Sequence, residues 1–299
     1  MRIRRSLIDL DDLTAEELAH IFERTAEFER TPPRPLLAGI GCVNMFFEES
    51  TRTFTSFNLA ELRLGANVIN LAPKNLSLAT KGETLEDTAI TLGALGISVV
   101  VVRHHEPGFP QRIALAFDGH VINAGDGVHA HPTQALLDIY TLMEEFGELN
   151  DRVVAIVGDV LHSRVAHSLI RGLQRIGSSV VLVGPEAFLP GSYEGNGVKV
   201  ERDFDAALPH LDAIILLRIQ RERFVEMPIS DAEYVEAYRL DRRRLRKMRK
   251  DAIVMHPGPY NRGMELDDSV LEFAGWRYAR QVHHGVGVRM AVLDLLVNG

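Results

Sequence analysis

Phe46-Phe47-Glu48-Glu49-Ser50-Thr51-Arg52-Thr53 stands where a short apolar run, Ile40 to Phe47, gives way to a helical pattern from Phe54 to Leu64. A short apolar run followed by a longer amphipathic one predicts a strand passing into a helix, with Leu59, Ala60, Leu62 and Leu64 as its expected buried face. Three hydroxyls and a guanidinium thus sit at a helix start. The backbone N–H groups of a helix N-terminus are unpaired and partly positive, so an anion there gains hydrogen bonds and a favourable dipole, and Arg52 adds bidentate charge pairing. The plain alternative is an N-cap, because Ser and Thr commonly cap helices. A cap needs one hydroxyl and no arginine.

Working outward, strand and helix patterns alternate along the chain, which predicts an α/β architecture with mainly parallel sheets. Thr14 and Glu17 form a capping-box pattern that starts a helix ending before Pro32-Pro33. Further strands are expected at Gly65 to Leu71, Ser98 to Val102 and His120 to Asn123, and a helix from Pro132 to about Phe146. Gly147 to Asp151 reads as a boundary. Beyond it a second series has strands at Val153 to Val157, Val180 to Val183, Ala213 to Leu217 and Ala252 to Met255, with a helix at Val165 to Ile176. Two doubly wound domains, 1–146 and 147–285, facing each other across an active-site cleft, are the expectation, because open α/β sheets place ligands at strand-to-helix junctions.

The chain has 299 residues, enough for two domains that each bury a core. Its 46% hydrophobic and 25% charged content fits a globular protein, and no run reaches the roughly 18 apolar residues of a membrane span. Met1 to Arg5 is basic, but Asp9, Asp11 and Asp12 follow in place of a signal peptide's apolar core, so a cytoplasmic protein is expected. A net charge of −8 argues against nucleic-acid binding despite seven basic residues between Arg242 and Lys250, which read as a solvated helix face. The single cysteine, Cys42, is expected to be a buried structural thiol. With only five lysines in the chain, Lys81 is the more notable.

Five later segments join the opening run: Ser77-Leu78-Ala79-Thr80-Lys81-Gly82-Glu83-Thr84, Val102-Arg103-His104, His131-Pro132-Thr133-Gln134, Arg218-Ile219-Gln220-Arg221-Glu222-Arg223 and His256-Pro257-Gly258-Pro259. Each has a bland reading: His131 a cap or core residue, Arg103 a surface arginine at a strand end, Ser77 and Lys81 a mobile surface loop, and Arg164 a helix-start residue. Six segments in order and at matching spacing, extending to Gly285-Val286-Gly287-Val288-Arg289-Met290, resemble the transcarbamoylase family, and most closely its aspartate-carbamoylating branch. Phe54 departs from the pattern, since many relatives carry arginine there.

The resemblance implies carbamoyl transfer from carbamoyl phosphate to the amine of L-aspartate, a step of pyrimidine synthesis, without cofactor or metal. It implies that Ser50, Thr51, Arg52 and Thr53 hold the phosphate, and that Arg103, His131 and Thr53 face the developing oxyanion. Gln134 would hold the carbamoyl NH2 group, and the Pro257 and Gly258 carbonyls would touch the carbamoyl and amino groups, with a cis bond before Pro259. Arg164 and Arg218 would take the two aspartate carboxylates, assisted by Gln220 and Lys81, in a pocket with no nearby acid. Ser77 and Lys81 would reach the site of a neighbouring subunit, which implies a homo-oligomer, a trimer, with shared active sites. A C-terminal helix from about Val286, 286–299, would return to the first domain. The resemblance admits regulatory or dihydroorotase subunits as further partners. The ornithine branch is disfavoured because its late segment carries a cysteine, and a dinucleotide-binding oxidoreductase because Gly158 stands without the Gly-x-Gly-x-x-Gly fingerprint. A non-catalytic paralogue is disfavoured because Arg52, Lys81, Arg103 and His131 are all present.

Overall fold

A computed structural model of the chain describes residues 5–72, 82–189, 193–195 and 197–299. The first series of elements runs α1 (Ala15–Arg30), β1 (Gly41–Phe46), α2 (Thr51–Arg63), β2 (Asn67–Leu71), α3 (Leu85–Ala94), β3 (Ile97–His104), α4 (Phe109–Ala116), β4 (His120–Asp126) and α5 (Pro132–Phe146). Its four strands form one parallel sheet in the order β2-β1-β3-β4. Thr14 caps α1 through the capping box with Glu17. Val43, Met45, Val100, Val102, Phe109 and Val121 belong to this sheet's apolar core.

The second series comprises β5 (Val153–Val157), α6 (Arg164–Arg175), β6 (Ser179–Val183), β7 (Val198–Glu201), β8 (Ala213–Leu216), α7 (Asp231–Tyr238), β9 (Ile253–Met255) and α8 (Tyr278–Asn298), with single-turn helices between. Its sheet is also parallel, ordered β7-β6-β5-β8-β9. Ala155, Val157, Phe188, Ile214, Leu216 and Tyr234 belong to its buried core. By compactness the chain divides into two units, one running to Leu137 and taking in Val282–Gly299, the other Asp138–Gln281. Among the described residues no helix is long and apolar enough to cross a membrane.

Three expectations need correction. The buried face of α2 is Phe57, Ala60, Glu61 and Leu64, whereas Leu59 and Leu62 are 40% and 59% exposed. The spacing explains this: 57, 60, 61 and 64 form one stripe of a 3.6-residue helix, and 59 and 62 fall outside it. The last helix begins at Tyr278, not near Val286. Gly285 lies inside it, where an added Cβ would come within 2.6 Å of a guanidinium nitrogen of Arg289. That nitrogen donates to Ser56 Oγ at 2.9 Å, and the guanidinium lies over the Phe57 ring, so the helix is fastened to α2. The basic run is not wholly solvated: Arg244 is buried and donates to the Arg239 and Glu236 carbonyls and to Asp205.

Glu61 places a carboxyl in the apolar side of α2. It is fully buried, and Asn44 Nδ2 on β1 donates to its Oε2 at 2.7 Å. Burial raises its pKa to about 7, opposed by the Asn44 hydrogen bond. The same burial, with Glu61 adding, pushes the Cys42 thiol far up, as fits a buried structural thiol. A carboxyl raised in the fold keeps its proton there while the unfolded chain, at an ordinary 4.5, has lost it. Stability therefore falls as pH rises from about 4.5 to 7 and stays reduced above that. Glu61→Gln keeps an acceptor for Asn44 and removes the charge. Denaturant melts across that range are expected to show the variant more stable than the parent at pH 8, by on the order of 3 kcal/mol, with the gain vanishing near pH 4.5. A gain independent of pH would remove Glu61 as the cause.

Candidate active site

In the first sheet the chain leaves β1 for the outer strand β2 and then crosses back to β3 on the other side of β1. The carboxyl ends of β1 and β3 therefore lie side by side while their following loops diverge, which leaves a crevice suited to a ligand. The opening run enters at that point. Ser50 is the N-cap of α2, yet its side chain makes no capping hydrogen bond, so the capping alternative does not account for its hydroxyl. Thr51, Arg52 and Thr53 form the first turn, whose amides have no partner within the helix. Phe54 packs edge-to-face on Phe46, across the strand-to-helix turn.

Arg103 pairs with Phe46 in register, and β3 continues one residue past it. Its Nε lies 3.4 Å from Glu48 Oε2, and a terminal nitrogen donates to the Ala124 carbonyl at 3.4 Å. The guanidinium is thus held beside the cradle and is not a free surface arginine. His131 is buried at the start of α5, and its Nε2 lies 3.4 Å from Thr53 Oγ1. The structure thereby brings together two of the three side chains expected to face an oxyanion. Gln134, one turn into α5, is buried beside them in sequence, and its N–H donates to the His131 carbonyl at 3.0 Å.

The turn that delivers His131 depends on Asp126, which the sequence did not single out. Fully buried, Asp126 accepts from the Gly108 and Ala130 amides and from Asn123 Nδ2, at 2.8, 3.1 and 2.7 Å. The only sequence signal was an acid between Gly125 and Gly127 at a strand end.

The second sheet repeats the device, with its switch between β5 and β8. Gly158 ends β5 at φ 122°, and a Cβ there would meet the Leu217 carbonyl oxygen at 2.8 Å, so only glycine lets the two strand ends approach. Next comes Asp159, fully buried, whose Oδ1 accepts from the His162 amide and Nδ1 and whose Oδ2 accepts from the Gln220 amide at 3.2 Å. Gln220 Nε2 in turn donates to the His162 carbonyl. The loop bearing Arg164 and the strand end bearing Arg218 are thereby tied to each other. Arg164 is the first residue of α6, behind the Ser163 cap, and is buried.

Arg218 corrects one expectation. An acid is near: both terminal nitrogens engage Glu222, at 2.5 and 3.0 Å, in a bidentate pair. The Glu222 hydrogen bonds hold the Arg218 guanidinium above its usual range against burial, and the Glu265 and Asp159 charges add to this. A fork built for a carboxylate has bound the chain's own. From β9 the chain enters His256-Pro257-Gly258-Pro259, where the Gly258–Pro259 bond is cis and the Gly258 amide donates to His256 Nδ1 at 2.8 Å. Ser77 and Lys81 lie outside the described residues.

Chemically, the first unit offers hydroxyls, helix-start amides, Arg52 and Arg103 for a phosphate-like dianion, with His131 and Thr53 placed to donate to an oxygen that gains charge. The second offers two arginines for carboxylates. Comparison with known proteins gives the same division. The family pattern described as aspartate/ornithine carbamoyltransferase, carbamoyl-P binding domain, matches residues 5–144, and its Asp/Orn binding domain matches 150–296. The chain is 47% identical to the aspartate carbamoyltransferase catalytic subunit of Acidothermus cellulolyticus, over 99% of this chain and 93% of that protein. It is also 47% identical to that of Salinispora arenicola, over 99% and 98%. Among solved structures it is similar to Trypanosoma cruzi aspartate transcarbamoylase in complex with carbamoyl aspartate and phosphate, with 30% identity, a TM-score of 0.88 and coverage of 97% and 94%. It is likewise similar to Pyrococcus furiosus ornithine carbamoyltransferase, with 28% identity, a TM-score of 0.90 and coverage of 99% and 97%. With both of its domain patterns matched in order over nearly the whole length, the chain belongs to the aspartate/ornithine carbamoyltransferase family.

Proposed function

We propose that this chain transfers the carbamoyl group of carbamoyl phosphate to the amine of L-aspartate, giving N-carbamoyl-L-aspartate and phosphate for pyrimidine synthesis. The observation that carries the choice of amine is the pair Arg164 and Arg218 at the switch point of the second sheet, which suits a substrate with two carboxylates. The full-length relatives described as aspartate carbamoyltransferase catalytic subunits support the same choice.

In this reading Ser50, Thr51, Arg52 and Thr53 hold the phosphate. The aspartate nitrogen attacks the carbamoyl carbon, the C–N bond forms and negative charge grows on the carbonyl oxygen. Arg103, His131 and Thr53 stabilise that charge, while Gln134 and the Pro257 and Gly258 carbonyls orient the carbamoyl and amino groups. The C–O bond to phosphate then breaks, and the leaving phosphate takes the proton released by the amine. Arg218 exchanges Glu222 for a substrate carboxylate, with Gln220 and Lys81 assisting.

We place the reaction in a cytoplasmic homotrimer in which Ser77 and Lys81 serve a neighbour's site. Leu59, Leu62 and Ile69, each exposed on α2 or β2 of the first unit, support association through these elements.

Purified protein given carbamoyl phosphate with aspartate or ornithine is expected to form carbamoyl-aspartate and no citrulline, read by a ureido assay. Citrulline alone would overturn the assignment of Arg164 and Arg218. Arg52→Ala removes a charge-assisted anchor and is expected to lower kcat by about 10²–10³-fold. Near-normal turnover would remove the phosphate cradle from the mechanism. For shared sites, Lys81→Ala and His131→Ala, each inactive alone, are expected to regain activity when dissociated, mixed and reassembled. A mixture no more active than its parts counts against a neighbour's lysine.

A further inference from the structure

The segment from His256 to Asn261 leaves β9 with no helix or strand of its own until it reaches the Met264 turn, yet it is held at both ends by one side chain. Glu265 is 1% exposed. Its Oε1 lies 3.3 Å from His256 Nε2 at the near end of the segment and accepts the Asn261 amide at the far end. His256 is equally buried. Its Nδ1 accepts the Gly258 amide at 2.8 Å, so the neutral ring carries its proton on Nε2, the atom that faces Glu265. Contact thus runs from Glu265 through the imidazole to the amide of Gly258.

The frame around this contact is closely hydrogen-bonded and packed. The Glu265 carbonyl accepts the Leu240 amide at 3.0 Å, beside a parallel bridge between Leu240 and Leu266. The His256 amide donates to Gln281 Oε1, and Gln281 Nε2 donates to the buried Asp138, each at 2.8 Å. Tyr260 packs edge-on against the rings of His256, Trp276 and Tyr278. A carboxylate buried here costs free energy that packing alone does not explain, since an apolar side chain of the same volume would fill the space at lower cost.

We propose that Glu265 is a positioning residue for the reaction: by accepting the Asn261 amide with the oxygen that lies against the His256 imidazole, it sets where the Pro257 and Gly258 carbonyls point. This rests on the reading that those carbonyls face the carbamoyl and amino groups. Glu265 itself touches no substrate and acts through His256 and the segment. What matters is an acceptor oxygen at the right reach. Glutamine therefore conserves the function, whereas a side chain of similar size without an acceptor, or one shorter by a methylene, does not.

The test compares Glu265→Gln, Glu265→Leu and Glu265→Asp in the full chain, with kcat and both KM values measured alongside binding of inorganic phosphate. Phosphate binding reports on the Ser50–Thr53 cradle of the other unit, and a denaturant melt shows whether the unit bearing the substitution is folded. Glu265→Leu and Glu265→Asp are expected to lose about 10- to 100-fold in kcat with phosphate affinity within about twofold of the parent, while Glu265→Gln stays within about fivefold in kcat. If Leu fails to fold, Asp carries the comparison. Full kcat in the Asp variant, or a Gln variant as impaired as Asp, would overturn the proposal. A parent protein that makes no carbamoyl-aspartate would fail the functional reading instead, an outcome separate from any difference among variants.

Discussion

Everything that bears on chemistry in this chain depends on one constraint of parallel sheets. Hydrogen-bonded parallel strands all end at the same edge, and where the winding reverses, two neighbouring strand ends send their loops apart. Both sheets reverse once, between β1 and β3 and between β5 and β8. The arginines, hydroxyls and amides assigned to the substrates follow those strands or the next ones outward.

Divergent loops have to be held, and the chain does this with buried carboxylates. Asp126 gathers the turn before His131, Asp159 ties the Arg164 loop to the Gln220 strand end, and Glu265 clasps both ends of the segment after β9. In each case a buried carboxyl group accepts backbone N–H donors, which offsets its own desolvation. Gly158 serves the same geometry by omission, since any side chain would push the strand ends apart. Rigidity so obtained suits a reaction that rests on placing two substrates and not on a covalent intermediate.

Arginine pairing follows similar logic. Arg103 lies against Glu48 and Arg218 against Glu222, so each guanidinium has a carboxylate in place of a ligand. In the proposed reading a substrate anion replaces an internal one, and selectivity follows from fork geometry more than from bare charge.

The primary structure by itself determined the alternation of elements, the helix from Pro132 to about Phe146 and the Thr14 cap, because these rest on local periodicity and capping chemistry. It misplaced the buried face of α2, since a helix stripe is chosen by the partner it packs on, and the resemblance put the start of α8 near Val286 whereas the helix begins at Tyr278. Only the tertiary structure decided that Thr53 and His131 meet, that Glu222 occupies the Arg218 fork, and that Asp126, Asp159 and Glu265 hold the loops. Those contacts join residues whose proximity is set by strand order. An acidic side chain in a sequence carries no mark of being buried or of which distant amides it will accept.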